Sequence, residues 1–212
     1  MNTQLLVIAK APVPGRVKTR LCPPCTPRQA ADIAAASLAD TLTAMAATPA
    51  VHHTVVLSGR YPLPAGWRAV AQRGDGLAQR LANGFSDTAL PGVASLLVGM
   101  DTPQLTPTLL RDVTGELRDA DAVLAPAQDG GWWALALRDP QHADALRAMP
   151  MSIPDTAKLT AAALRALGLR LRYGPVLRDV DTAEDALAVA ASCQPGAFIR
   201  AVDAHLAPAG TR

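Results

Sequence analysis

The densest charge in the sequence lies in Lys10-Ala-Pro-Val-Pro-Gly15-Arg16-Val-Lys18-Thr-Arg20. Four basic residues fall here in a chain whose 20 Lys+Arg and 18 Asp+Glu otherwise nearly cancel. A turn of this kind makes a local positive field able to neutralise a diphosphate. The amides of Gly15 to Lys18 add backbone donors, while Pro12 and Pro14 stiffen the loop and supply no N–H. Lys10, Gly15, Arg16, Lys18 and Arg20 are therefore the candidate nucleotide- or phosphate-binding residues. The spacing is not that of a Walker A loop, because Arg16-Val17 separates Gly15 from Lys18. A single glycine is also too few for the dinucleotide-binding fingerprint.

Three acidic positions complement this turn. Asp101, in Gly99-Met-Asp-Thr-Pro103, closes an apolar run and suits a hard divalent cation that bridges to phosphates. An Asx turn or a helix cap would use an aspartate there equally well. Asp129 opens Asp129-Gly130-Gly131-Trp132-Trp133, where two glycines let a backbone approach a ligand closely. In a strand, alternation lets only one of the two tryptophans face a cleft; Trp132 is assigned to it and Trp133 to the core. In Asp179-Val-Asp181-Thr-Ala-Glu-Asp185, Thr182 and the acids after it make a good helix start. That leaves the two preceding aspartates unexplained, and one of them can serve as a second metal ligand.

These motifs need elements to position them. Gln4–Ala9, His53–Ser58, Trp67–Ala71, Ala94–Val98, Ala122–Ala125, Trp132–Leu137 and Leu169–Tyr173 read as strands, several of them continuous apolar runs buried on both faces. Helices are expected from Pro27 to about Ala47, over Gly76–Ser86 with Leu77, Leu81 and Phe85 on one face, and from Thr106 to about Arg118. Others are expected over Asp155–Leu167, from Thr182 through Ala191 and over Phe198–Leu206. Strands alternating with long helices predict a three-layer α/β/α sandwich around a mostly parallel, Rossmann-like sheet. All 212 residues are expected in one domain. In such sheets ligands bind beyond the carboxyl ends of the strands. The four charged or glycine-rich motifs all directly follow predicted strands.

Composition narrows the function. With 50% hydrophobic, 18% charged and only 3% aromatic residues, the chain is not intrinsically disordered, and its core must be built from Ala, Leu and Val. A net charge of +2 is too even for affinity built on many nucleic-acid phosphates. No segment approaches the ~20 apolar residues of a membrane span, and the first residues lack the basic start of a signal peptide. Three cysteines imply no disulfide framework and favour a reducing cytoplasm. Cys22-Pro-Pro-Cys25 has the spacing of a redox or zinc pair. Without a second ligand pair, it reads better as two small residues in a proline-rich turn.

Taken together, Lys-Ala-Pro-Val-Pro-Gly-Arg-Val-Lys-Thr-Arg-Leu, Gln72-Arg-Gly-Asp-Gly-Leu-Ala-Gln-Arg80-Leu81, Gly-Met-Asp-Thr-Pro, Pro-Ala-Gln-Asp-Gly-Gly-Trp-Trp and Asp-Val-Asp-Thr-Ala-Glu-Asp resemble one bacterial family. It is a domain-of-unknown-function family, also known as arsenosugar-biosynthesis-type glycosyltransferases. It lies within the nucleotide-diphospho-sugar transferase superfamily of GT-A-like fold. The resemblance runs from about residue 4 to residue 192. It implies that Lys10, Lys18 and Arg20 meet nucleotide phosphates, that Gly15 shapes their turn, and that Asp101 and Asp181 hold Mg²⁺ or Mn²⁺. It further implies that Asp129, Gly130 and Gly131 face the substrate. The segment Leu77-Ala-Gln-Arg80 departs from the family's usual Leu-Gly-Glu-Arg.

The expected activity is a metal-dependent transferase acting on a nucleotide-activated substrate, with Asp101, Asp129 and Lys18 as catalytic residues. In a glycosyltransferase, the cation with Lys18 and Arg20 stabilises the departing nucleoside diphosphate, and Asp129 orients or deprotonates an acceptor hydroxyl. In the alternative, a nucleotidyltransferase, an acceptor phosphate or carboxylate attacks an α-phosphate and pyrophosphate leaves. A nucleotide-binding protein without turnover would need none of the three aspartates together.

Overall fold

The structure, a computed structural model, describes residues 2–206; of the domain expected over 1–212, the first residue and 207–212 lie outside the described residues. Seven strands form one sheet: β1 (Thr3–Lys10), β2 (His53–Ser58), β3 (Arg68–Ala71), β4 (Ala94–Gly99), β5 (Ala122–Pro126), β6 (Trp132–Leu137) and β7 (Leu171–Tyr173). Their order is β3-β2-β1-β4-β6-β5-β7. β1 pairs in parallel with β2 on one side and β4 on the other, so the chain reverses its direction of travel across the sheet there. Only β6 runs antiparallel, between β4 and β5. The mostly parallel sheet expected from the sequence is present, with this one inversion. β6 is buried at five of its six positions, so it shows the same unbroken apolar run as its parallel neighbours.

Helices cover both faces. On one side, α1 (Pro27–Ala46) and α3 (Pro107–Gly115) pack Ala34, Leu38, Leu110 and Val113 onto Val7, Val55 and Val98. On the other, α2 (Leu77–Thr88) and α4 (Thr156–Ala166) bring Leu81, Phe85, Ala161 and Leu164 onto Leu6, Leu97 and Leu135. The odd and even positions of the central strands thus feed opposite layers, as the two-residue period of a strand requires. A third cluster joins Leu21 and Cys25 of the first loop to Val180 and to α5 (Ala183–Ala190) and α6 (Ala197–Leu206) through Ala186, Phe198 and Val202. It ties the basic turn to the C-terminal part of the chain.

Local chemistry sets the helix starts. Thr26 accepts from the Gln29 amide while the Gln29 side chain takes the Thr26 amide, a capping box, with Pro27 in the first turn. Thr182 and Asp185 make the same reciprocal pair for α5. Leu77 differs from the expected apolar stripe of α2: it is 45% exposed, whereas Leu81 and Phe85 are buried, because the first turn of α2 opens onto a cleft.

Candidate active site

That cleft, about 700 Å³ in volume, lies beyond the carboxyl ends of the parallel strands, at the reversal between β1 and β4. The loop after β1 makes its first wall. Gly15 takes φ +75°, a conformation that favours glycine, and its place in the turn leaves it off the cleft lining. Lys10, Arg16, Lys18 and Arg20 all line the cleft. Lys18 adopts the left-handed conformation (φ 47°, ψ 41°), uncommon for a residue with a side chain, and leads into the short 3-10 turn Thr19–Leu21. Its side chain is turned inward and is only 8% exposed.

The acidic side is assembled from two distant segments. β4 delivers Asp101, and the Val180 amide donates to the Asp101 carbonyl at 2.9 Å, fixing the Asp179–Asp181 loop beside it. That loop is held from behind as well. Asp185 accepts from the Thr182 amide at 2.7 Å and from Arg178 Nε at 2.7 Å, and the Gln104 side chain donates to the Arg178 carbonyl. Lys18 Nζ stands 2.7 Å from Asp101 Oδ2 and 3.4 Å from Asp181 Oδ1, and Arg20 Nη1 stands 2.9 Å from Asp181 Oδ2. Burial alone would lower the Lys18 affinity for its proton. The attraction of Asp101, with further pull from Asp181 and Asp179, outweighs burial and holds the ammonium above its ordinary value. Asp179 moves the opposite way: burial, then repulsion from Asp129 and Asp181, pushes its carboxyl up to about 6.

Asp179 and Asp181 therefore lie beside Asp101 in the cleft, with Lys18 between Asp101 and Asp181 and Arg20 on the other oxygen of Asp181. Among the described residues, no three His, Cys, Asp or Glu side chains form a ready-made cage for an ion. Two carboxylates within reach of one nitrogen nonetheless fit Mg²⁺ or Mn²⁺. Magnesium in particular commonly takes one or two carboxylates and completes its shell with water and substrate phosphates.

The hairpin between β5 and β6, held beside the Asp179–Asp181 loop by the Gln128 amide donating to the Leu177 carbonyl at 2.9 Å, makes a further wall. Asp129 Oδ1 accepts from the Gly131 amide at 2.8 Å, closing a tight turn, and both residues line the cleft. Gly130 does not. It takes φ +90°, and a Cβ there would collide with the Pro154 carbonyl, so its glycine serves close packing of this turn against the segment before α4. Trp132 lines the cleft, whereas Trp133 is 2% exposed and donates its indole N–H to the Pro175 carbonyl at 2.9 Å. Trp132 Nε1 and Thr102 Oγ1 are buried polar atoms without a hydrogen-bond partner among the described residues.

Met151, Ser152 and Thr156, which no sequence motif marks, also line the cleft, as do Gln72 and Leu77 of the Gln72–Leu81 motif, to which the sequence assigns no site role. Gln72 Nε2 donates to the Ala9 carbonyl at 2.8 Å and to the Val56 carbonyl at 3.0 Å, clamping the ends of β1 and β2. In the segment that departs from the family pattern, Gln79 Oε1 accepts from the Asp75 amide at 2.9 Å. Of the cysteine pair, Cys25 is buried and Cys22 half-buried, both as free thiols packed with Leu21 and Val180.

A doubly wound α/β fold, a cleft at its topological switch and a basic loop facing carboxylates define the class of nucleotide-utilising transferase folds. The chain belongs to the family described as an uncharacterised protein conserved in bacteria (DUF2064), whose model matches residues 30–153. No curated protein matches the sequence. Among solved structures, it is similar to a protein provisionally described as a nucleotide-diphospho-sugar transferase from Desulfovibrio desulfuricans G20. The two share 25% identity over 87% of this chain and 85% of that one, with a TM-score of 0.79. It also shares its fold with Rv0371C from Mycobacterium tuberculosis H37Rv, solved in complex with manganese, at 19% identity over 89% of this chain and 98% of that one (TM-score 0.56). A third similar structure is a CMP:2-keto-3-deoxy-manno-octonic acid synthetase complexed with CTP, at 12% identity over 89% of this chain and 97% of that one (TM-score 0.58). No described helix is long and apolar enough to cross a membrane.

Proposed function

We propose that this chain is a metal-dependent transferase acting on a nucleotide-activated substrate, and that it transfers a sugar from a nucleoside-diphosphate sugar to a small acceptor. The observation that carries the reading is the meeting of Lys18, Asp101 and Asp181 across the switch point, from three separate segments. The likeness to the Desulfovibrio protein supports the sugar donor, and the manganese complex of Rv0371C supports the ion. Asp101 and Asp181 would hold Mg²⁺ or Mn²⁺, which when bound supplies a Lewis acid for the developing phosphate charge. Lys18, Arg16 and Arg20 bind the diphosphate and stabilise its added charge as the glycosidic bond to it breaks. Asp129, on the cleft wall that the β5–β6 hairpin makes, orients the acceptor or takes its hydroxyl proton. Glycosyl transfer of the arsenosugar-biosynthesis type is the form of this reading that the sequence resemblance implies.

One observation favours nucleotidyl transfer instead. Asp129 already spends an oxygen on the Gly131 amide. An anionic acceptor attacking an α-phosphate needs no base, so that reaction asks less of this residue. Incubation with Mn²⁺, panels of nucleotide-sugars and nucleoside triphosphates, and a mixture of small hydroxyl, phosphate and carboxylate acceptors separates the two. Release of nucleoside diphosphate supports glycosyl transfer, and release of pyrophosphate supports nucleotidyl transfer. Release of neither, or equal release by Asp101→Asn, overturns the assignment.

A further inference from the structure

Resting on the metal site read above, we propose that Lys18 is a place-holding cation: its ammonium group occupies the position between Asp101 and Asp181 that the divalent ion takes, and leaves when the ion enters. Lys18 Nζ lies 2.7 Å from Asp101 Oδ2 and 3.4 Å from Asp181 Oδ1, so the two carboxylates already close around one positive centre. An ion bound to the same oxygens at about 2.0–2.2 Å would stand within a few ångströms of that ammonium group. Two like charges so close in a partly dehydrated cleft repel strongly, and both cannot stay.

The backbone supports a dedicated role. Lys18 holds φ 47°, a conformation unfavourable for a residue with a Cβ, and its long cationic side chain is turned inward to 8% exposure. A solvent-facing phosphate ligand needs neither feature. Arg20, with its side chain 74% exposed, stays on the other oxygen of Asp181 and keeps that carboxylate paired after Lys18 moves. The displaced ammonium finds its next partner in the phosphates, since Arg16, Thr19 and Arg20 line the same cleft.

Two consequences follow. Free metal must displace Lys18 without compensation, so its apparent affinity falls by the fraction of time the site is open. A nucleotide offers Lys18 a new partner, so metal and nucleotide strengthen each other's binding by the same factor. The protein thus loads the metal–nucleotide complex in preference to either component alone.

The test is calorimetric titration of Mn²⁺ alone, without nucleotide, into wild type, Lys18→Gln, Lys18→Gly and Lys18→Arg, with Asp101→Asn as the control for site occupancy. Lys18→Gly suits the left-handed backbone and guards against misfolding of the Gln variant. The expected result is Mn²⁺ binding about tenfold or more tighter in Lys18→Gln and Lys18→Gly than in wild type, with Lys18→Arg close to wild type. The same two variants should show the larger Mn²⁺-induced rise in Tm. Binding that Asp101→Asn abolishes, but that is equal or weaker in both neutral variants, overturns the exchange and leaves the metal site standing. Binding indifferent to Asp101→Asn, or no binding by any variant, overturns the metal site and the exchange with it.

Discussion

In the proposed site, Asp101 is the residue on which cation binding and the placing of Lys18 converge. Asp101→Asn keeps its shape and removes its charge. We expect turnover at saturating Mn²⁺ to fall by about a hundredfold or more, the usual loss when a charge-stabilising group leaves a transition state. Initial rates of diphosphate or pyrophosphate release check this, with the larger effect in kcat. Asp129 is expected to act more mildly. Asp129→Asn retains an oxygen for the Gly131 amide, so the turn survives, and a loss within about tenfold would mark the residue as orienting rather than proton-accepting. At this scale the sequence was informative about residue type and poor about pairing. The basic turn and the aspartates after strands are visible as local motifs. The contact of Lys18 with Asp181 spans 163 positions and has no local trace. The Asp179 carboxyl is pushed up to about 6 by burial that spacing alone does not reveal.

Elements were more legible than contacts. β6 begins and ends where its apolar run does, and β2 is centred on Val55–Leu57, because strands buried on both faces read as continuous hydrophobic stretches. The same property hid the antiparallel direction of β6, since a run of this kind carries no sign of polarity. The short 3-10 segment Pro140–Leu146 went unread, its buried Ala143 and Leu146 lying three apart in a stretch without a clear period. Gly130, which the motif places toward substrate, also packs where a side chain would meet the Pro154 carbonyl. Gly130→Ala should therefore lose about 1–3 kcal/mol, from the positive φ and the clash together, as measured by urea unfolding. At α1, Thr26→Ala removes one half of the capping box and should cost about 1 kcal/mol in the same assay.

For the molecule as a whole, acid stability should depend on the end of the sheet remote from the cleft. The Asp121 carboxylate accepts from Arg170 Nε at 3.0 Å and from the Arg170 amide at 3.0 Å, joining the start of β5 to the start of β7. The side-chain hydrogen bond from Arg170 comes first, the backbone bond next, and together they lower the Asp121 carboxyl to about 2. A folded-state value below the unfolded one contributes stability that is complete above about 3.8 and is lost as pH falls through 2. Asp121→Asn should reduce stability at neutral pH and flatten its decline between about pH 4 and 2, measured as Tm against pH. Exposure of the Arg170 partner makes this contribution modest and salt-sensitive.

The amide of Val180 that fastens the late acidic loop to the carbonyl of Asp101 has a consequence for biosynthesis. A ribosome extrudes the lysine-bearing turn and the β4 aspartate well before the third member of the triad. A nascent chain stalled before residue 179 lacks the carboxylate of Asp181 and the amide of Val180 that sets it in place. The proposed cation site therefore becomes complete only after every strand of the sheet has been synthesised.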